Sequence, residues 1–169
     1  MSGPLVVVMG VAGAGKSAVG EALAARLGVP FVDGDALHPA SNIAKMASGR
    51  PLVDDDRWPW LEAVGDALRA DRDTGIVVAC SALKVVYRDA IRRIAPSTLF
   101  VHLHGAPALL ADRIGARAGH FMPPALLESQ LADLEPLLAD EVGTTIDVAP
   151  ELPEIVREIE SFVEARRAQ

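Results

Sequence analysis

Two rhythms of apolar residues alternate along the chain. Short apolar runs, Leu5-Val6-Val7-Val8-Met9, Phe31-Val32-Asp33, Ile76-Val77-Val78-Ala79-Cys80, residues 98–103 and residues 144–148, have the length and composition of strands, and the first and third that of strands buried on both faces. Between them apolar positions recur at helical spacing. This predicts helices over 18–27, within 37–51 between Pro39 and Gly49-Arg50-Pro51, and from about Asp54 through Trp60, Leu61, Val64 and Leu68. Further helices are predicted over 84–94, 106–116, 124–138 and 153–166. The acidic triplet Asp54-Asp55-Asp56 suits a helix N-terminus, and Pro59 is tolerable so early in the helix. Strands alternating one by one with helices imply an α/β fold: a five-stranded parallel sheet covered on both faces in three α/β/α layers.

The first strand runs directly into Gly10-Val11-Ala12-Gly13-Ala14-Gly15-Lys16-Ser17, the phosphate-loop pattern G-x-x-x-x-G-K-[ST], and a helix follows. Glycines let backbone N–H groups approach phosphates closely, and the helix behind them turns its positive end to the same place. In this pattern Lys16 reaches the β- and γ-phosphates and the Ser17 hydroxyl ligates Mg²⁺, so the chain is expected to bind ATP or GTP. The guanine-reading Asn-Lys-x-Asp segment of signalling GTPases does not occur.

Composition narrows the class. A chain of 169 residues, half of them apolar, can bury a core without staples, and no linker, repeat or low-complexity tract divides it, so 1–169 reads as one domain. A net charge of −7 argues against a chain built to coat nucleic acid or an anionic membrane. The single cysteine, Cys80, excludes an internal disulfide and fits a reducing cytoplasm; it reads as a small buried residue at a strand end. The first apolar stretch is too short for a membrane span. A cytoplasmic protein with no nucleic-acid or membrane partner is expected.

Other chemistry gathers where open α/β sheets bind ligands, at the carboxyl ends of the strands. Asp33 and Asp35 end the second strand and could reach a metal or a phosphoryl acceptor, or form only a polar turn. The third strand ends Cys80-Ser81-Ala82-Leu83-Lys84 without the carboxylate that often holds Mg²⁺ in phosphate-loop proteins, which leaves Asp33 as the substitute. Arg57 is a candidate for anion binding or a surface ion pair. Arg113 and Arg117, with Gly119 and Pro123-Pro124, resemble a flap over 113–124 that brings arginines onto phosphates, the alternative being a solvated helix end.

Taken together, the phosphate loop, Asp33-Gly34-Asp35-Ala36-Leu37-His38-Pro39, Asn42-Ile43-Ala44-Lys45-Met46, Asp56-Arg57, Pro59-Trp60-Leu61, Cys80-Ser81-Ala82-Leu83-Lys84, Tyr87-Arg88 and Gly119-His120-Phe121 resemble the gluconokinase family. The resemblance runs in order to about Pro136 and becomes generic beyond. It implies ATP-dependent phosphorylation of D-gluconate to 6-phospho-D-gluconate, and a fold similar to shikimate and nucleoside monophosphate kinases with strand order 2-3-1-4-5. Shikimate kinases carry a Gly-rich triplet where this chain has residues 80–84, which favours gluconate over shikimate. On this resemblance Lys16, Asp35 and Arg117 are the expected catalytic residues, with Asp35 orienting or deprotonating the acceptor hydroxyl. Residues 10–17 and Arg113 would bind the nucleotide, and Ser17 and Asp33 the Mg²⁺. His38, Arg57, Lys84 and Arg88, with Asp35, would bind gluconate within a substrate segment spanning about 35–72 and its surroundings. The loop after Val148 would lie near the adenine. Dimers are common in that family, but the periodicity here marks no interface.

Overall fold

A computed structural model of the chain describes residues 2–115 and 124–169. Five parallel strands, β1 (Leu5–Met9), β2 (Phe31–Asp33), β3 (Ile76–Ala79), β4 (Leu99–His104) and β5 (Gly143–Asp147), form one sheet in the order β2-β3-β1-β4-β5, as expected. The helices are α1 (Lys16–Leu27), α2 (Ala40–Ala47), α3 (Asp54–Ala70), α4 (Val85–Ile94), α5 (Pro107–Gly115), α6 (Pro124–Asp133) and α7 (Leu152–Arg167). A short 3₁₀ turn, Gly34–Leu37, joins β2 to the loop before α2.

Strand β1 shows why the sheet needs cover on both faces. Its side chains alternate: Val6 and Val8 enter one core with Leu23 of α1, Leu110 of α5, Leu127 of α6 and Ile159 of α7. Leu5, Val7 and Met9 enter the other, with Leu61, Val64 and Leu68 of α3 and Ile91 of α4. Every residue of β1 is buried, so the run is uninterrupted rather than alternating polar and apolar.

Most predicted boundaries hold within a residue or two, with two informative differences. Helix α1 begins at Lys16, because Gly15 takes the left-handed conformation (φ 90°) at its N-cap and the helix starts inside the phosphate-loop pattern. Helix α6 ends at Asp133, not 138. Pro136 disfavours helical geometry at Glu135, whose N–H instead donates to the Leu83 carbonyl at 2.8 Å. The chain from 134 to 138 therefore becomes a strap across the start of α4.

Candidate active site

Strand β1 lies between β3 and β4; its own connection leads through α1 toward β2 on one side, while β3 connects through α4 to β4 on the other. The crevice at such a switch point is where an open α/β sheet binds its ligand. The loop 10–15 fills that crevice. Gly10 N–H donates to Ser81 O at 3.3 Å, tying the loop to the segment after β3. The Lys16 ammonium folds back over the loop and donates to Val11 O at 3.1 Å.

The two expected metal ligands meet directly: Ser17 Oγ donates to Asp33 Oδ2 at 3.0 Å. The other carboxylate oxygen, Oδ1, accepts the Asp35 N–H at 3.0 Å and so caps the 3₁₀ turn. That turn is held from below by the Trp60 indole N–H, which donates to Gly34 O at 2.8 Å. Gly34 is required there, because a Cβ would lie 2.4 Å from Ala79 O. Asp33 thus faces Ser17 while Asp35 stands exposed one turn along. A hydroxyl beside a carboxylate is a hard-oxygen pair suited to Mg²⁺, whose remaining positions are filled by water and phosphate oxygens rather than by a protein cage. Among the described residues no group of three or more His, Cys, Asp and Glu side chains could hold a metal.

His38 stacks on Trp60 with ring centroids 4.3 Å apart. Its Nδ1 accepts from Asn42 Nδ2 at 3.1 Å, which leaves the proton on Nε2; the buried Asn42 amide also donates to Asp56 O at 2.8 Å. Burial lowers the His38 pKa, Asp35 opposes and Arg57 reinforces, so the ring is a neutral donor at pH 7.

Arg57 and Lys84 come from different elements to one place. Arg57 Nη1 is 3.8 Å and Lys84 Nζ 3.7 Å from Asp54 Oδ1, both in ion-pair range. The same oxygen accepts the Tyr87 hydroxyl, which holds the Asp54 pKa down; burial opposes this, and Lys84 and Arg57 add to the lowering. Both cations also lie over the Tyr87 ring, at 5.5 Å and 5.6 Å from its centroid. Burial, then the bond to Asp54, raises the Tyr87 pKa, so it stays a phenol. Arg57, Lys84, Asp54, Leu52, Ser129 and Asp133 line a cleft of about 520 Å³. Two cations share the Asp54 carboxylate there, and Asp55 and Asp133 also line the cleft, so the lining sets two cations among three carboxylates.

Arg88, expected beside them as a substrate cation, is not in this cleft. It is fully buried and donates to Glu141, to Ala82 O and Leu83 O, and to Glu135 O and Pro136 O. Its fork is spent on holding the 80–84 segment, where Ala82 takes a left-handed φ of 43°, against the 134–138 strap. Arg88 is thus engaged with carbonyls and Glu141 inside the protein rather than facing the cleft. Glu141 answers it: burial raises the carboxyl's pKa, but hydrogen bonds from Arg88, Leu138 N–H and Arg92 bring it down to about 2.

Arg113 Nη2 donates to Val148 O at 2.6 Å. With Ala14, Gly15, Ala149, Pro150 and Leu152 it lines a second cleft, of about 460 Å³, beside the phosphate loop. Arg117 and most of the expected flap lie outside the described residues. Cys80 is buried, and burial pushes its thiol up to about 12, so it takes no part as a nucleophile. Ser129, Gln130 and Asp133 carry no motif of their own, and only the fold brings them to the site; Asp54 and Tyr87 stand in stretches the sequence singles out, but their meeting comes from the fold.

The fold and this site define a phosphate-loop kinase. The shikimate kinase family model matches residues 12–160. Thermosensitive gluconokinase of Escherichia coli K12 is 44% identical over 99% of this chain and 91% of its own length. The gluconokinase of Gluconobacter oxydans is 51% identical over 77% of this chain and 74% of its own. The crystal structure of a gluconokinase from Sinorhizobium meliloti 1021 is 51% identical, covers 96% of this chain and 92% of that one, and superposes with a TM-score of 0.88. This chain belongs to the gluconokinase family.

Proposed function

We propose that the protein transfers the γ-phosphoryl group of ATP to the terminal hydroxyl of D-gluconate, giving 6-phospho-D-gluconate and ADP. The observation that carries the choice of acceptor is the pair Arg57 and Lys84 around Asp54, in a cleft one segment away from the phosphate loop. A sugar acid offers one carboxylate for the cations and several hydroxyls for Asp54, His38 and their neighbours.

Residues 10–17 and Arg113 bind the nucleotide, whose base fits the cleft that Arg113 shares with residues 149–152. Lys16 and Arg117 balance charge on the transferred group. Ser17 and Asp33 would hold Mg²⁺, which would neutralise phosphate charge. Asp35 orients the acceptor hydroxyl and takes its proton as the new O–P bond forms and the bond to ADP breaks. Arg57 and Lys84 fix the gluconate carboxylate, and neutral His38 donates to a hydroxyl. Arg88 has no direct role.

The test is product formation from ATP across D-gluconate, shikimate, nucleoside monophosphates and related sugar acids, with Mg²⁺ present and then chelated. Selective, Mg²⁺-dependent conversion of gluconate is expected. Preference for another acceptor would sink the substrate assignment, and nucleotide binding without turnover would make the chain a regulator.

A further inference from the structure

A single peptide group in the phosphate loop is held at both ends by side chains. The carbonyl of the unit joining Val11 and Ala12 accepts the Lys16 ammonium at 3.1 Å, and also closes a turn to Ala14 N–H at 3.2 Å. Its N–H donates to Gln130 Oε1 at 2.7 Å, from a residue 118 positions away on α6. A trans peptide is planar, so its N–H and C=O point in opposite directions and holding one aims the other. The unit lies in the loop between β1 and α1, where neither the sheet nor a helix ladder fixes its N–H.

We propose that Gln130 is a positioning residue for Lys16. By taking the Ala12 N–H it fixes the Val11–Ala12 peptide, and so the carbonyl that holds the ammonium group where the β- and γ-phosphates arrive. The side chain is well placed for this. Helix α6 is anchored through buried Leu127, while Ser129 and Asp133 of the same helix line the acceptor cleft. The Gln130 Nε2 has no partner among the described residues, so the bond to the loop is the only polar contact this side chain makes there. One helix therefore touches the acceptor cleft and sets the phosphate loop.

The inference rests on the phosphate loop being the ATP site, and its test needs no acceptor. Gln130→Met keeps the length of the side chain and removes the acceptor oxygen. Calorimetric titration with a non-hydrolysable ATP analogue and with AMP separates the outcomes, because AMP lacks the phosphates that Lys16 reaches. The expected result is an analogue affinity at least about fivefold weaker with AMP affinity within about twofold, a coupling of the size a displaced charged contact gives. If the wild type turns over gluconate, the variant's kcat falls at least about tenfold with the gluconate KM within about threefold, as for a misplaced reacting group. Unchanged analogue affinity overturns the proposal, and so does an equal loss for analogue and AMP, which would mark a merely structural role. Failure of gluconate turnover in the wild type would instead count against the acceptor assignment and leave the nucleotide comparison intact.

Discussion

Asp35 and Lys84 enter the proposed reaction differently, and kinetics separates them. Asp35 is exposed in a turn fixed through its backbone groups, its own N–H donating to the Asp33 carboxylate and Gly34 O accepting from the Trp60 indole, so its carboxylate can change without disturbing the turn. Asp35→Asn keeps the shape and removes the base. Turnover at saturating gluconate is expected to fall by about 100-fold or more, the range of general-base catalysis. A rate within a few-fold of wild type would remove Asp35 from the chemistry. Lys84 meets the acceptor only as a charge, and its side chain is partly exposed beside Asp54 and Tyr87. Lys84→Met is expected to raise the gluconate KM about tenfold or more, a charged hydrogen bond being worth about 1.5–3 kcal/mol, with kcat and thermal midpoint little changed. Steady-state kinetics with gluconate as the varied substrate distinguishes the two patterns.

Helix α4 shows what was legible in the chain and what was not. Its apolar spacing marked it clearly, and the phosphate loop was legible because a local pattern of glycines, Lys16 and Ser17 is itself the mechanism. Asp33 and Ser17 could be paired in advance because one ends β2 and the other opens α1 behind the phosphate loop, at the same edge of the sheet. Arg88 misled, since a cation next to an active-site segment looks the same in sequence whether it faces ligand or core. Its burial depends on Glu141 and on the strap after α6, more than 45 residues away, and no local rhythm encodes that meeting. Gln130 was invisible for the same reason. The corrected role of Arg88 predicts a stability defect. Arg88→Met leaves the Glu141 carboxylate, itself 3% exposed, with only Arg92 as a charged partner beside the Leu138 N–H among the described residues, and should cost about 3–5 kcal/mol in denaturant unfolding, the penalty for breaking a buried pair. Lys84→Met, measured alongside, should stay within about 0.5 kcal/mol of wild type, as surface changes do.

The two cores meet across the sheet, and its centre carries a titratable group that the reaction does not use. His102 pairs with Met9 of β1 and Thr145 of β5, is 3% exposed, and has no partner for Nδ1 among the described residues. Burial, then the neighbouring His104 and Arg88, lowers its pKa from 6.5 to about 4. The folded state therefore refuses a proton that the unfolded chain accepts below pH 6.5, and stability is present above that pH and lost as pH falls toward 4. Glu141 has the same sign in a lower window: its carboxyl, at about 2 when folded and 4.5 when unfolded, withdraws stability between those values. Acid should thus weaken the molecule in two stages, each of about 3 kcal/mol at 1.36 kcal/mol per pKa unit. The difference in unfolding free energy between wild type and His102→Leu, followed by denaturant titration from pH 8 to 3, isolates the first stage. Relative to the variant, the wild type should lose stability between pH 6.5 and 4, while both decline together below pH 4.5. A difference that stays flat from pH 7 to 4 would mean that His102 accepts its proton within the folded sheet, and the lowered pKa assigned to its burial would be wrong.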